Sequence, residues 1–181
     1  WRKVHPTGKI REIPKDFINP AMKLSLLDGS DPPENFTITK EDTKNRTNKF
    51  SDVVSMSFIE SISNNSRFTF KVKNNTVLSQ PIILEIDAGS SNSVVNLDIQ
   101  IGRHCEFELI TLIVGQPDWF GLLRKGEIGD GSIINDVVVG QMKKGTLLRV
   151  DAINIGKDSQ VKAGSISSGS DRTKADLRYM M

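Results

Sequence analysis

The sequence predicts an all-β fold: a right-handed parallel β-helix, or solenoid, of about four to five coils with an extended N-terminal arm. Three observations predict it: a motif at constant spacing, strands with alternating apolar residues, and a proline-rich N-terminal third. The motif is an Ile-Gly pair followed by a short, mostly polar triplet, at Ile101-Gly102, Ile128-Gly129 and Ile155-Gly156. Its glycines are 27 residues apart in both steps. A constant period of this length is typical of repeat architectures, in which each repeat forms one unit.

A second motif lies between the Ile-Gly pairs and keeps nearly the same step. A glycine is followed eight residues later by Leu-Arg at Gly115, Gly140 and Gly169. Two interleaved motifs with one step favour a solenoid in which each coil carries one copy of each. A β-sandwich with turns at similar spacing is the alternative, but a sandwich does not require a constant step.

The apolar residues between the motifs indicate strands. Leu97, Ile99 and Ile101 alternate with Asp98 and Gln100, which is the period-2 pattern of a half-buried strand. Stacked coils would place the isoleucines of the three Ile-Gly pairs in one continuous interior. Each buried aliphatic side chain there would contribute about 1.5 to 3 kcal/mol. The glycines suit corners where the chain turns or passes close to its neighbour.

The N-terminal region differs from the rest of the chain. Five of the seven prolines fall within residues 1–33, and proline lacks the N–H group that a sheet requires. We therefore predict an arm and linker over residues 1–49 and the β-helix core over 50–181, with the first coil beginning near Val53. Residues 17–18 and 22–27 are predicted to cover the side or open end of the solenoid, and 28–49 to be loop or linker.

Composition limits the classes of function. The chain has 181 residues with 24 Lys and Arg against 22 Asp and Glu, a formal charge of +2, so no nucleic-acid partner is expected. No run of about 18 apolar residues occurs, so no membrane span is expected. Cys105 is the only cysteine, which excludes an internal disulfide and favours a reducing compartment. We therefore expect a cytoplasmic protein.

One segment resembles a known family. Residues 68–72, the turn at Asn74-Asn75 and residues 80–84 resemble the segment that opens the β-helical core of the SufB/SufD family. These proteins are scaffold subunits of the Suf iron-sulfur cluster assembly system, and the resemblance covers about residues 52–170. It implies pairing with a like subunit, as a homodimer or SufB/SufD-type heterodimer, and contact with the Suf ATPase subunit in a longer form. It also implies an iron-sulfur cluster in complex with a partner, although the family's late Cys and His residues have no counterpart after Cys105.

Few residues are candidates for chemistry, and no catalytic residue is predicted. His104 and Cys105 are candidate cluster or metal ligands, because an imidazole and a thiolate suit soft and borderline metals. Adjacent residues of a strand point to opposite faces, so the alternative is a buried structural Cys105 beside an exposed His104. The glycines of segment 140–146 resemble those of a phosphate-binding loop, but we interpret Gly140 as a coil corner. Trp119-Phe120 is predicted to form an apolar loop tip.

Most carboxylates alternate with core residues and are predicted to lie on outward strand faces. The set comprises Asp87, Asp98, Glu106, Glu108, Asp130, Asp136, Asp151 and Asp158. Outward carboxylate pairs beside aromatic platforms would favour a polysaccharide-binding or polysaccharide-processing β-helix, which is the alternative function. The sequence favours a non-catalytic scaffold for iron-sulfur cluster assembly, with its partner-binding end near residues 163–179.

Overall fold

The computed structural model of the protein describes residues 16–42, 59–60, 63, 66–170 and 173–180, and nearly all of them are in strands or tight turns. Within these ranges only Ile59 and Glu60 are helical, and no helix there is long and apolar enough to cross a membrane. The strands are β1 (Ala21–Leu26), β2 (Phe36–Asp42), β3 (Ser66–Val72), β4 (Ile82–Asp87), β5 (Ser93–Ile101), β6 (Glu106–Val114), β7 (Trp119–Ile128), β8 (Ile133–Met142), β9 (Gly145–Ile155), β10 (Gln160–Gly169) and β11 (Thr173–Met180).

Successive strands alternate between two sheets. Sheet A has the order β11-β9-β7-β5-β3-β2, and sheet B has the order β1-β4-β6-β8-β10. From β3 onward, neighbours within each sheet run parallel, so each coil contributes one strand to each sheet. Four such strand pairs and the additional strand β11 form a β-solenoid of about four coils, as the sequence predicts.

The Ile-Gly motif marks one corner of the solenoid. Ile101 pairs in register with Ile128, which pairs with Ile155, and Val72 occupies the same position in the coil before. Their glycines are packed backbone to backbone: a Cβ added to Gly129 would lie 2.7 Å from the Gly102 carbonyl carbon. Ile101 and Ile128 are buried, whereas Ile155 in the last complete coil is 39% exposed. The predicted column is therefore confirmed.

The second motif recurs once in each coil, as predicted, but its copies are not in register, and the prediction of Gly140 as a coil corner is wrong. Arg124 pairs with Asp151 and not with Arg149, which pairs instead with Leu122. The first two Leu-Arg copies are thus offset by two residues, and both of their arginines still face the interior because strands have a period of two. In the third copy, Leu177 pairs with Arg149, and Arg178 is exposed. Gly140 lies inside β8 opposite Ile113, whereas the corner follows at Lys143-Lys144.

The first coil is two residues longer than the two 27-residue coils that follow it. The step from Val77 to Glu106 is 29 residues, but the step from Ile82 to Leu109 is 27. The two additional residues therefore lie between Val77 and Ile82, just before β4. This explains why Val72 precedes Ile101 by 29 residues while the register of the later coils is kept.

The N-terminal region closes the first coil. β1 pairs antiparallel with β4, and β2 pairs antiparallel with β3. Phe36 is buried, and Met22, Leu24 and Ile38 pack on the same core, so the predicted cover by residues 22–27 is confirmed. The predicted loop over 28–49 is wrong in part, because Phe36–Asp42 forms β2. The predicted start near Val53 and the boundary at residue 49 lie outside the described residues.

A second, smaller apolar cluster covers the outer face of sheet A. Phe17 packs edge-on against Trp119 at 5.0 Å between ring centroids, and Ile59 is fully buried beside Leu123. Beside this cluster, Lys125 forms an ion pair with Glu60. Burial lowers the pKa of the Lys125 ammonium, and the hydrogen bond and charge of Glu60 oppose that shift. Trp119 therefore starts β7 under this cover, and the prediction of an apolar loop tip there is wrong.

Candidate functional site

The corner that contains His104 and Cys105 has the same backbone conformation in every coil. Asn75, His104, Gly131 and Asp158 all have a positive φ, between 53° and 66°. Asn, Asp, His and Gly are the residues that adopt this left-handed conformation most readily. The exposed ring of His104 lies over the next coil, because a Cβ on Gly131 would be 2.6 Å from its Nδ1. His104 is therefore one member of a column of turn residues.

The next residue in each corner forms a hydrogen-bonded column. The Ser132 Oγ accepts a hydrogen bond from the Cys105 N–H at 3.1 Å and donates to the Gly102 carbonyl at 3.1 Å. One coil later, the Ser159 Oγ makes the equivalent bonds to Ser132 N–H and the Gly129 carbonyl, at 3.1 and 3.0 Å. Each hydroxyl thus satisfies two backbone groups of the coil before it, at the point where the ladder is interrupted by the turn.

Cys105 occupies the serine position of this column. Its thiol is buried and lies 3.2 Å from the Lys73 carbonyl, the position equivalent to the Gly102 carbonyl bonded by Ser132. His104 is exposed, so the structure directs the thiol and the imidazole to different environments. Among the described residues, no group of three or more His, Cys, Asp or Glu side chains is placed to hold a metal. Cluster binding by His104 and Cys105 therefore stays a prediction, while the structure gives Cys105 a packing role.

Replacing Cys105 with serine is expected to change the free energy of unfolding by less than about 1 kcal/mol, because serine makes these bonds in the next two coils. Replacing it with alanine is expected to lower that free energy by about 1 to 3 kcal/mol, because the Lys73 carbonyl keeps only the Thr76 hydroxyl as partner and the lost thiol leaves a cavity. Urea unfolding of both variants measures the difference. Equal losses of stability in the two variants would contradict the packing role, and loss of iron binding in both variants would favour a ligand role.

The interior contains a charged network that sequence reasoning missed. Asp136 and Asp151, predicted to face outward, point between the sheets and bind two buried arginines. Arg124 donates from Nη2 to Asp136, and its Nε lies 3.4 Å from Asp151 Oδ1. Arg149 donates from Nε and Nη2 to Asp151 Oδ2 at 2.9 and 2.6 Å, and from Nη1 to Ser165 Oγ at 2.9 Å.

The network balances its own charge. Two guanidinium groups face two carboxylates, and the Arg124 side chain is fully buried. A buried charge is tolerated only when it is paired and hydrogen-bonded, and here the pairing connects the third coil, through Arg124, to Asp151 of the fourth. They are bonded to each other and almost closed to solvent, which makes a substrate site in the interior a poor interpretation. A signal for the network does exist in the sequence, because Arg124 follows Phe120 and Leu122 on the inward phase of β7.

The solenoid ends with β10 at the edge of sheet B and β11, which pairs with β9, at the edge of sheet A. We call these two strands the last coil, and most inward residues of β10 are small or polar. Ala163, Ser165 and Ser167 are exposed although they lie on the inward phase of β10. A shallow cavity of ≈ 210 Å³ opens between the ends of β10 and β11, lined by Leu147, Ser167 and Thr173 among others. The Thr173 hydroxyl bonds the Met142 carbonyl at 3.2 Å, so it also serves the backbone of the coil below.

Comparison with known proteins finds no matching family model, no similar curated protein and no similar solved structure. The resemblance to the SufB/SufD family therefore stays a prediction from residues 68–84 and the Ile-Gly corners.

The backbone of β10 and β11 is open on the side away from the solenoid. No described strand pairs with the far edge of either. Gln160 N–H bonds the Ser132 carbonyl of the coil below. Because the direction alternates along a strand, the N–H groups of Val161, Ala163, Ser165 and Ser167 point to the open edge. The same alternation, started from Thr146 N–H bonded to the Asp118 carbonyl, directs the Ala175 N–H to the edge of β11.

Proposed function

We propose that this chain is a non-catalytic scaffold that associates with a like subunit through the edge strands of its last coil. The observation that supports it most directly is the pair of long edges on β10 and β11, of 10 and 8 residues. Such edges are templates for pairing with another strand unless something blocks them. The described part of β10 contains neither proline nor a bulge that would block its edge.

The two ends of the solenoid differ in how their interiors finish. At the first coil, Phe36 of β2 is buried against Phe70 and Phe107, and the aliphatic residues of β1 pack beside them. At the last coil, inward Ala163 and Ser165 are exposed. The last coil is therefore the end that another rung would complete.

A two-fold axis perpendicular to the solenoid axis would bring two open ends together. Their edge strands would then pair in antiparallel orientation. The small inward residues of both ends would be buried between the two copies. Such an interface joins two rigid stacks without any catalytic group. A non-catalytic role is further supported by the buried arginines and aspartates, which are bonded to each other, and by Cys105, which packs in the corner column.

Replacing Ala163 and Ala175 with proline together is expected to weaken association at least about tenfold, because it removes one edge donor from each strand. Both N–H groups point away from the solenoid, so its own ladder keeps its bonds. The double serine variant keeps both donors and is the matched control. Light scattering coupled to gel filtration over a concentration series measures the change. A wild-type protein that stays monomeric at high concentration would contradict the proposal.

The finer proposal is that this assembly serves iron-sulfur cluster biogenesis with a SufB/SufD-type partner and the Suf ATPase. It is supported by the sequence resemblance of residues 68–84. Iron retention in the wild type, compared with the serine variant of Cys105 described above, tests whether this chain supplies a ligand. The alternative of a polysaccharide-binding β-helix has no specific observation in its favour, since Phe17 and Trp119 pack against each other and Asp136 and Asp151 point inward.

A further inference from the structure

The outer face of sheet B carries aliphatic side chains across four neighbouring strands. The register aligns Ile83, Ile110, Val137 and Gly164 in one row. The next row on this face aligns Glu85, Leu112, Val139 and Ile166. Six side chains in these two rows are apolar, and we call them the aliphatic face: Ile83, Ile110, Leu112, Val137, Val139 and Ile166.

The aliphatic face is outside both apolar clusters of the molecule. None of its members is part of the core between the sheets or of the cluster on sheet A. Five are partly exposed, and Ile166 is 60% exposed. The outer face of sheet A is covered by Phe17 and Ile59, but no described segment packs in this way on sheet B. Parallel strands that are apolar on both faces are typical of sheets buried on both sides.

The polar row beside the aliphatic face has a charge at each end. Glu108 on β6 aligns with Asn135 on β8, and Asn135 aligns with Lys162 on β10. Glu108 and Lys162 therefore lie on the two strands that flank β8, one on each side. A two-fold axis that runs along β8 between two facing sheets would place Glu108 of each copy opposite Lys162 of the partner.

The same axis matches the apolar rows by size. It places Ile110 opposite Gly164 of the partner, which has no side chain, and Val139 opposite its own copy. Leu112 then lies opposite Ile166 of the partner, the most exposed member of the face. Sheets that pack face to face lie about 10 Å apart, which is the distance that such side chains fill. We propose that the aliphatic face binds a second copy of this chain, face to face, about a two-fold axis along β8.

This interface uses different atoms from the one proposed for the last coil. The edge contact uses backbone N–H and C=O groups of β10 and β11, whereas the face contact uses outward side chains of β6, β8 and β10. A protein with the two edge prolines, Ala163→Pro and Ala175→Pro, therefore keeps the aliphatic face. The two proposals can therefore be tested separately, because any dimer that the double proline variant forms must use the aliphatic face and not the edge strands.

Sedimentation velocity of the edge-blocked protein over a concentration series tests the face. We expect a monomer–dimer equilibrium that Val139→Lys weakens at least about tenfold, because it brings two like charges together on the axis. Val77→Lys is the matched control: Val77 is 71% exposed and pairs with Glu106 outside the overlap of the two copies. Equal weakening by both substitutions would overturn the proposal.

Charge reversal provides a second measurement that general destabilisation cannot imitate. Glu108→Lys and Lys162→Glu are each expected to weaken the dimer several-fold, and the double variant is expected to recover the original affinity. Circular dichroism confirms that each variant is folded. Failure of the double variant to recover would overturn the proposal. So would an edge-blocked protein that stays monomeric at every concentration, as expected if the face binds a different protein or a lipid surface.

Discussion

Replacing Arg124 with methionine is expected to lower the free energy of unfolding by about 3 to 5 kcal/mol. The Arg124 side chain is fully buried between the sheets, where it binds Asp136 and approaches Asp151. The described structure gives Asp136 no other hydrogen bond, so the substitution leaves a buried carboxylate without a partner. Removing one member of a buried ion pair costs far more than the pair contributes, because the other charge stays desolvated. Urea unfolding followed by circular dichroism measures the loss.

Arg178→Met is the matched control for this substitution. Arg178 binds Asp176 at 2.7 Å, but both side chains are 51% exposed, and exposed ion pairs contribute about 0 to 1 kcal/mol. Adding Asp136→Asn to Arg124→Met is expected to recover part of the loss, because it removes the uncompensated charge. If Arg124→Met were as mild as Arg178→Met, the interior network would contribute nothing to stability.

Replacing Gly129 with alanine is expected to lower the free energy of unfolding by about 2 to 3 kcal/mol. The added Cβ would lie 2.7 Å from the Gly102 carbonyl carbon and 2.8 Å from the Arg103 nitrogen. Both are backbone atoms of the coil below, so the clash cannot be relieved by a side-chain rotation. The two coils would have to separate at the corner, which would also lengthen the hydrogen bond from Gly129 N–H to the Ile101 carbonyl.

Gly140→Ala is the matched control, because Gly140 is a glycine of the repeat region that lies inside a strand and not at a corner. Its added Cβ would meet only the side chains of Leu147 and Ser167, at 3.7 and 3.8 Å, which is ordinary contact. We expect a change within about 1 kcal/mol, with a gain from the reduced freedom of the unfolded chain. Thermal or urea unfolding of the two variants compares them directly. Equal effects would show that the Ile-Gly corners do not depend on close backbone approach.

The Ile-Gly corners could be predicted from the sequence because a steric requirement fixes them. Where Gly102 and Gly129 meet, no Cβ fits, so glycine recurs in the three later coils and the period becomes visible. The register of the Leu-Arg motif could not be predicted, because no steric requirement fixes this motif to one position in the coil. Arg124 and Arg149 differ by two residues in register, and an offset of two leaves both on the inward phase. Sequence periodicity gives the face of a residue, but the offset between strands must come from the structure.

Strand β2 and the inward direction of two aspartates could not be predicted, because the sequence does not show which segment packs on a strand. Segment 36–42 alternates apolar and polar residues, but its position between charged and proline-containing stretches favoured a loop. Asp136 and Asp151 were assigned to solvent because carboxylates are usually exposed, although each lies on the apolar phase of its strand. A buried Cys105 beside an exposed His104 is one of the two interpretations that the sequence allows, and both burial states are confirmed. The hydrogen-bonded column that Cys105 shares with Ser132 and Ser159 became visible only in the structure.

The longer first coil shows where this solenoid tolerates additional chain. Between Val77 and Ile82 two extra residues bulge out, yet Ile82 still pairs with Leu109 and Val72 still pairs with Ile101. Corners held by glycine contacts and hydroxyl bonds do not have this freedom, since a single insertion there would shift every later rung. Length variation among homologues, and any peptide grafted for display, should therefore be accommodated at Ser79-Gln80 and excluded from the glycine corner.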